Sequence, residues 1–435
     1  MKVKPVKIGG SNLNLIALGL VVSGILVGCG DSSGSNSATP TPTPDKNAAG
    51  GTTPTAGTRK APTAEGNKAE GDTIKIAVVT SISGENKPWG TDQLEGCKLA
   101  ADEVNKAGGI NGKKIEIVEG DTASKPDQAK LAAEKVLSTN VIGIVGEVSS
   151  GNTIQIAKSA FDKGVPVVAV GATKTTLTDE GAHVFRVCYT DAFQGPAMAR
   201  FAFEKLNKKK VAILTDNALP YSQGLSESFR AEFTKLGGEI VADEKYESGS
   251  KQGTDYNGVL TNIAKKAPEA LFMSGYFTEV GPIAKQARAA GITAVFLGGD
   301  GWDSDTILTG GGDAILGGFF ANHYNNLDPS PEVQGFLTKW KAAHGGAEPS
   351  TTMGALGYDA MALTIDALKR AKSMDSKSLM AALEDTVDFK GVSGTITLKG
   401  MNGNPPKKLI VVEVTKKNGS NWQKFATSYT PDQIK

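Results

Sequence analysis

The chain has 435 residues, with 47 Lys and Arg against 46 Asp and Glu, for a net charge of +1. Basic and acidic residues are interspersed, and the longest basic run is "NKKK" at 207–210. That balance excludes the one-sided basic surface a nucleic-acid-binding protein needs. The three cysteines and three histidines form no Cys-x-x-Cys and no Cys/His cluster, so no metal-site spacing is present.

The amino terminus reads as a targeting segment. Lys2, Lys4 and Lys7 form a positive region, followed by an apolar stretch over 13–27, short for a membrane-spanning helix. It ends in Leu26-Val27-Gly28-Cys29, which resembles the lipobox of bacterial lipoproteins. That resemblance implies a signal peptide over 1–28, cleavage before Cys29 and acylation of its thiol. Gly30 follows the cysteine, so an inner-membrane retention Asp is missing at that place, and Asp31 comes one residue late. Residues 29–71 are Ser, Thr, Pro, Ala and Gly with almost no large apolar side chains, as in "TPTPTPDKNAAGGTTPTAGT". Such a stretch cannot bury enough surface to offset its ordering entropy, and reads as a disordered tether.

From Thr73 strands and helices alternate. Strands are predicted over 74–79, 114–119, 141–145 and 165–170, and helices over 92–107, 126–138 and 153–163. Continuous β-branched runs joined by helices indicate a parallel sheet covered on both faces. Cys97 shares a helical face with Leu94, Ala101 and Val104, which favours a buried free thiol, although an exported protein leaves a Cys97–Cys188 bridge open. The scheme then restarts: "KVAILTDNALPYSQG" (210–224) echoes "KIAVVTSISGENKPWG" (75–90). Further strands are expected over 239–243, 270–274 and 294–297, with helices over 225–236, 258–266 and 279–290. About 360 residues with two copies of one plan predict an α/β protein of two doubly wound lobes. After Phe319 comes a loop, then helices near 331–344 and 351–370, and β-like segments near 395–398, 408–414 and 422–427.

Four stretches carry a family resemblance: "GGINGKKIEIVEGDTASKPDQA" (108–129), "FRVCYTDAFQGPAMA" (185–199), "SGYFTEVGPIAKQARAAGI" (274–292) and "GALGYDAMALTIDAL" (354–368). Over residues 72–430 the chain resembles the branched-chain amino-acid-binding proteins of ABC transporters, the Leu/Ile/Val branch of type I periplasmic binding proteins. The resemblance implies parallel central sheets in two lobes joined by a three-strand hinge, with the ligand cleft between them. Crossovers would fall near Asp191–Gln194, Asn322–Tyr324 and Phe389–Ser393, giving one lobe from 72–190 plus 324–388 and another from 191–323 plus 389–430.

The turn "VGEVSSGNT" (145–153), between a buried strand and a helix, suits a nucleophile, a phosphate or an anion seat. The resemblance assigns Ser150 to the ligand carboxylate, with Ser149 and Asn152 supporting the turn. The partner turn "VGATKTT" brings Gly171, Ala172 and Thr173, the Gly171 carbonyl facing the ligand ammonium and the Thr173 hydroxyl and N–H its carboxylate. Hydroxyls and free N–H groups at a helix start suit an anion without a buried Lys or Arg. From the second lobe, Asp300 in "GGDG" would pair with the ammonium and Tyr276 would contact the ligand backbone. Trp89 and Tyr221 occupy equivalent loops after each lobe's first strand, as exposed-loop aromatics suited to closing over an apolar side chain. Trp302 is a further candidate. Glu85, Glu147 and Asp191 are candidates to line or rim the pocket, against surface or capping roles. Family members can carry a disulfide between the loop near 124 and the turn near 149; Ser124 and Ser149 stand there, so that brace is missing.

A hydrolase needs a base beside Ser149 or Ser150. His183 precedes a predicted strand, His323 lies near a crossover, and His344 ends a helix, each without an evident Asp orienter. Glu147 stands where a Gly-x-Ser-x-Gly elbow needs its first Gly, and no Gly-Lys-Ser/Thr phosphate loop is present. The expectation is therefore a non-enzymatic, monomeric, cofactor-free carrier on the extracytoplasmic side, lipid-anchored, passing an amino acid to an ABC permease. A sensor of the same fold, or a carrier of an amide, urea-like molecule or aromatic acid, is the alternative.

Overall fold

The computed structural model describes residues 59–249, 255–418 and 421–434. The segment read as a signal peptide and Cys29 lie outside the described residues, and no described helix is long and apolar enough to cross a membrane.

The first lobe is built from β1 (Thr73–Thr80), α1 (Lys87–Lys106), β2 (Lys114–Asp121), α2 (Pro126–Leu137), β3 (Gly143–Val145), α3 (Ser150–Phe161), β4 (Val167–Ala169) and β5 (Val184–Arg186). Its strands form a five-stranded parallel sheet in the order β2-β1-β3-β4-β5, with Ile76 opposite Gly143 and Val168 opposite Phe185. Parallel neighbours cannot be joined by a tight turn, so each connection carries covering structure, and both sheet faces are buried. This is why Ile74, Ile76 and Val78 on one face of β1 and Ala77 and Val79 on the other are all sealed from solvent.

The second lobe follows through α4 (Asp191–Arg200), then β6 (Lys210–Asp216), α5 (Pro220–Lys235), β7 (Glu239–Tyr246), α6 (Asn257–Lys265), β8 (Ala270–Met273), α7 (Phe277–Ala289), β9 (Val295–Gly298), α8 (Thr306–Gly311) and β10 (Phe319–Asn322). The chain then returns to the first sheet with α9 (Pro331–Ala343), α10 (Met353–Arg370) and α11 (Ser376–Glu384). Helix α10 packs along α1 and against β3 and β4. The two helices approach so closely that a Cβ at Gly357 would stand 2.4 Å from the Gln93 carbonyl oxygen, and one at Gly96 would strike that of Gly354. A short hairpin, β11 (Phe389–Gly391) and β12 (Gly394–Ile396), precedes β13 (Leu409–Asn418) and β14 (Asn421–Tyr429). These last two add antiparallel to the second sheet, whose order is β14-β13-β10-β9-β8-β6-β7.

Near residue 391 the chain passes back towards the second sheet in a turn seated on a buried carboxylate. Asp359 of α10 accepts Val392 N (2.6 Å), Ser393 N (2.8 Å) and Ser393 Oγ (2.6 Å). The buried Lys407 ammonium donates to Ser393 Oγ at 2.9 Å. Burial pushes Lys407 down to about 8, opposed by the Asp359 charge. Cys97 and Cys188 are buried free thiols; Cys97 Sγ donates to the Gly357 carbonyl at 3.3 Å.

Three sequence expectations need correction. Residues 319–322 form β10 rather than loop, and α11 went unassigned in the sequence. Helices α1, α3, α5 and α7 begin at Lys87, Ser150, Pro220 and Phe277, two to five residues before their amphipathic patterns. Residues 59–71 lie on the first lobe instead of belonging to a tether. Arg59 donates to the Val184 carbonyl (2.7 Å) and Glu384 (2.8 Å), Asn67 Nδ2 to the Val141 carbonyl (2.7 Å), and Ala69 N to the Met374 carbonyl (2.8 Å). Composition misses this attachment because polar side chains and backbone bonds, not apolar burial, make it.

Candidate ligand-binding cleft

In open parallel sheets ligands sit beyond the carboxyl ends of the strands. Here those ends, from both sheets, surround one cavity of about 220 Å³. Trp89, Val148, Ser150, Gly171 and Met353 line it from the first lobe, and Tyr221, Tyr276, Asp300 and Gly301 from the second.

The first wall is made by two turns. After β3 the chain turns into α3, whose first residue is Ser150. The first N–H groups of a helix have no intrahelical partner and carry its positive dipole end. Ser150 Oγ accepts Lys174 N at 3.2 Å, which leaves its own hydroxyl proton to donate. After β4 come Gly171, Ala172 and Thr173. A Cβ at Gly171 would lie 2.9 Å from Val148 Cγ1 and 3.0 Å from Met353 Sδ, both lining the cavity. Ala172 does not line it; its side chain packs with Leu177 and Val184, and its carbonyl accepts Arg186 Nη1 at 2.8 Å. Arg186 Nη2 also donates to the Lys174 carbonyl at 2.9 Å. This fully buried guanidinium therefore holds the turn from beneath, and burial lowers its pKa. The Thr173 hydroxyl is buried with no hydrogen-bond partner, while its carbonyl accepts Asp191 N at 2.8 Å.

Glu147 is neither on the surface nor in the cavity lining. Its carboxylate is buried and accepts Ser81 Oγ (2.5 Å), Thr122 Oγ1 (2.8 Å), Asn152 Nδ2 (3.0 Å), Ser149 N (2.8 Å) and Ser149 Oγ (2.7 Å). It ties the loops after β1 and β2 to the start of α3. Ser149 and Asn152 act through this hub, as supports of the turn.

The second wall is acidic and aromatic. Asp300 follows β9 and is 4% exposed. Its Oδ1 accepts Gln194 Nε2 (3.1 Å), its N–H donates to Gln194 Oε1 (2.7 Å), and its Oδ2 lies 3.1 Å from His323 Nε2. His323 is buried and stacks on Tyr189 with centroids 4.3 Å apart. The expectation that no histidine has an Asp partner is thus corrected for His323, but no nucleophilic serine is bonded to its ring. Gln194 also donates to Asp191 Oδ1 at 3.2 Å, and Asp191 Oδ2 is buried without a partner. Burial, then the Asp300 charge, push Asp191 up to about 8; the Arg186 and Lys174 charges oppose the rise. Asp191 is therefore not a surface or capping residue, whereas Glu85 is exposed.

The aromatic residues close the gap between lobes. Trp89 and Tyr221 are not loop residues: each sits in a first helical turn, beside Pro88 and Pro220. Proline fits there because that turn's N–H has no intrahelical acceptor. Trp89 lies edge-on to Tyr276 (5.0 Å) and Phe277 (4.8 Å), and Tyr276 stacks with Tyr221 (5.3 Å). Tyr221 Oη accepts Gly301 N at 3.0 Å. Trp302 is in the second-lobe core: it is fully buried, donates to the Met273 carbonyl at 3.0 Å, and lies beside Phe320. Sequence reasoning missed Gln194, His323, Arg186, Val148 and Met353. Only Gln194, one helical turn from Asp191, and the lone arginine in "VFRVC" carried a local signal.

Two lobes with parallel-rich sheets and their strand ends around a small cleft define a solute-binding protein of the type I periplasmic class. Residues 73–420 match the family model described as periplasmic binding protein, and the chain belongs to that family, in its branched-chain amino-acid branch. It is 33% identical to the leucine-binding protein LivK of Thermotoga maritima, with a TM-score of 0.77 over 83% of this chain and 100% of that one. Against LivJ of Streptococcus pneumoniae, solved with isoleucine, identity is 32% and the TM-score 0.74, over 82% and 99% of the chains. A leucine-, isoleucine-, valine-, threonine- and alanine-binding protein of Pseudomonas aeruginosa is 29% identical over 313 residues, 72% of this chain and 82% of that protein.

Proposed function

We propose that this protein is an extracytoplasmic, lipid-anchored carrier that captures an apolar amino acid and presents it to an ABC permease. The observation that carries the reading is the polarity of the cleft: hydroxyls and a helix start on one wall, Asp300 on the other, and aromatic and aliphatic side chains between. Ser150 and Thr173 would donate to the ligand carboxylate, and the Gly171 carbonyl and Asp300 would hold its ammonium. Asp300 already meets Gln194 and His323, yet it still lines the cleft, where a ligand ammonium would add a charge partner; this favours amino acids over simple carboxylic acids. Trp89, Tyr221, Tyr276, Val148 and Met353 would enclose the side chain. The lobes, 72–190 plus 324–388 and 191–323 plus 389–430, would close around the ligand about the three crossovers, and the permease would read the closed shape. The relatives named above are amino-acid-binding proteins, which supports the ligand class.

A thermal-shift panel of the twenty L-amino acids and their ammonium-free analogues tests the reading. At least one amino acid should raise the Tm by mass action. Stabilisation by ammonium-free compounds alone would refute it.

A further inference from the structure

Asp303 lines no part of the cleft cavity, yet its contacts are divided between the two lobes. Its Oδ1 accepts Asn322 Nδ2 (3.0 Å) at the end of β10 and Gln423 Nε2 (2.8 Å) on β14, both in the second sheet. Its Oδ2 accepts Thr352 N (2.6 Å) and Thr352 Oγ1 (2.7 Å), immediately before α10, which packs on the first sheet. Its backbone carbonyl accepts the Trp89 indole N–H at 2.7 Å, from α1 of the first lobe. A residue that merely braced one lobe would spend both oxygens there.

We propose that Asp303 is an interlobe clasp: one carboxylate oxygen is anchored in the second lobe, and the other caps α10 of the first, holding the cleft shut and so setting ligand affinity. The proposal rests on the amino-acid-binding reading above. A helix start favours a carboxylate, because its N–H groups have no intrahelical acceptor and carry positive dipole charge. Asp303 and Thr352 are nearly sealed from solvent, so their bonds act in a medium of low dielectric. A polar pocket bordered by Asp303, Ser350, Thr352 and Gln423 adjoins the clasp. Water from that side can satisfy Asp303 and Thr352 when they part, so the bond is reversible. Trp89 links the clasp to the cleft, since the indole that donates to Asp303 also packs edge-on against Tyr276.

The test measures lobe separation and affinity in Asp303→Asn and in Thr352→Val, which keeps the N–H and loses only the hydroxyl. Spin labels at Lys130→Cys and Lys245→Cys, both exposed and one per lobe, report the distance, while the two native body cysteines stay buried. The probe is a mixture of the twenty L-amino acids, and binding is followed by calorimetry. Wild type with the mixture should show the short distance. Asp303→Asn should shift the population to the long distance and weaken binding by roughly ten- to a hundredfold, as for lost bonds to a charged group. Thr352→Val should do so to a smaller degree. A variant that folds, keeps the short distance and binds within about threefold of wild type overturns the clasp, whatever its Tm. So does a wild type that binds the mixture and stays long. A wild type that is short without ligand and binds none of the mixture, with a lengthened Asp303→Asn, sinks only the amino-acid reading.

Discussion

Replacing Asp300 by Asn removes one negative charge from the cleft and almost no volume. The side chain is 4% exposed, so a ligand ammonium meeting it would form a pair stripped of water. Truncating one partner of such a pair typically costs about 2 to 5 kcal/mol. Two features pull this case to the lower part of that range. Gln194 and His323 already occupy the two Asp300 oxygens, and the Asp191 carboxyl, with Oδ2 buried without a partner, remains nearby as a hydrogen-bond acceptor. We expect a loss of about 2 to 3 kcal/mol, roughly thirty- to a hundred-and-fifty-fold in Kd. Calorimetry should compare the amino acid that stabilises wild type with its ammonium-free analogue. The analogue should bind the variant no worse than it binds wild type, because it has no partner for the lost charge. An amino-acid affinity within threefold of wild type, or equal losses for both ligands, refutes the reasoning.

Three further outcomes follow from the structure. Gly171→Ala should weaken ligand binding about tenfold and destabilise by roughly 1 to 3 kcal/mol, because its Cβ would press on Val148 and Met353; unchanged calorimetry would contradict the Gly171 wall. The folded-state value of Asp191, about 8, lies above the ordinary carboxylate value of 3.8, so the folded chain holds a proton that the unfolded chain releases. That contribution is complete below about pH 4 and is lost as pH rises to about 8. Asp191→Asn should therefore flatten the decline of Tm across this window, and an unaltered slope would disprove the assignment. Asp359→Ala should cost about 3 to 5 kcal/mol in urea unfolding, since it strips the buried Lys407 ammonium of its counter-charge; a cost below 1 kcal/mol would show that the pair does not support the turn near 391.

The alternation of β-branched runs with helices was legible because parallel strands buried on both faces must be continuously apolar. Edges of elements were not. Helices α1, α3, α5 and α7 were read late because their first turns carry Trp89, Ser150, Tyr221 and Phe277, which face the cleft or the other lobe rather than the core of their own. Those turns broke the amphipathic pattern for the reason that makes them useful. Residues 59–71 were misread in the opposite sense: a composition too polar to make a core still attached itself through Arg59 and Asn67 to carbonyl groups of the first lobe.

By itself the sequence determined the α/β class and the repeated plan, because these depend on local patterns and residue types, while the roles of the turns came only as what the family resemblance implies. Tertiary structure alone decided the environments of the charged groups. Glu147 became a buried hub, Asp191 a carboxyl that holds its proton, and Asp303 a link between lobes, because partners from distant segments converge on each. Charge and burial energies depend on those neighbours in space, and neighbours in sequence do not reveal them.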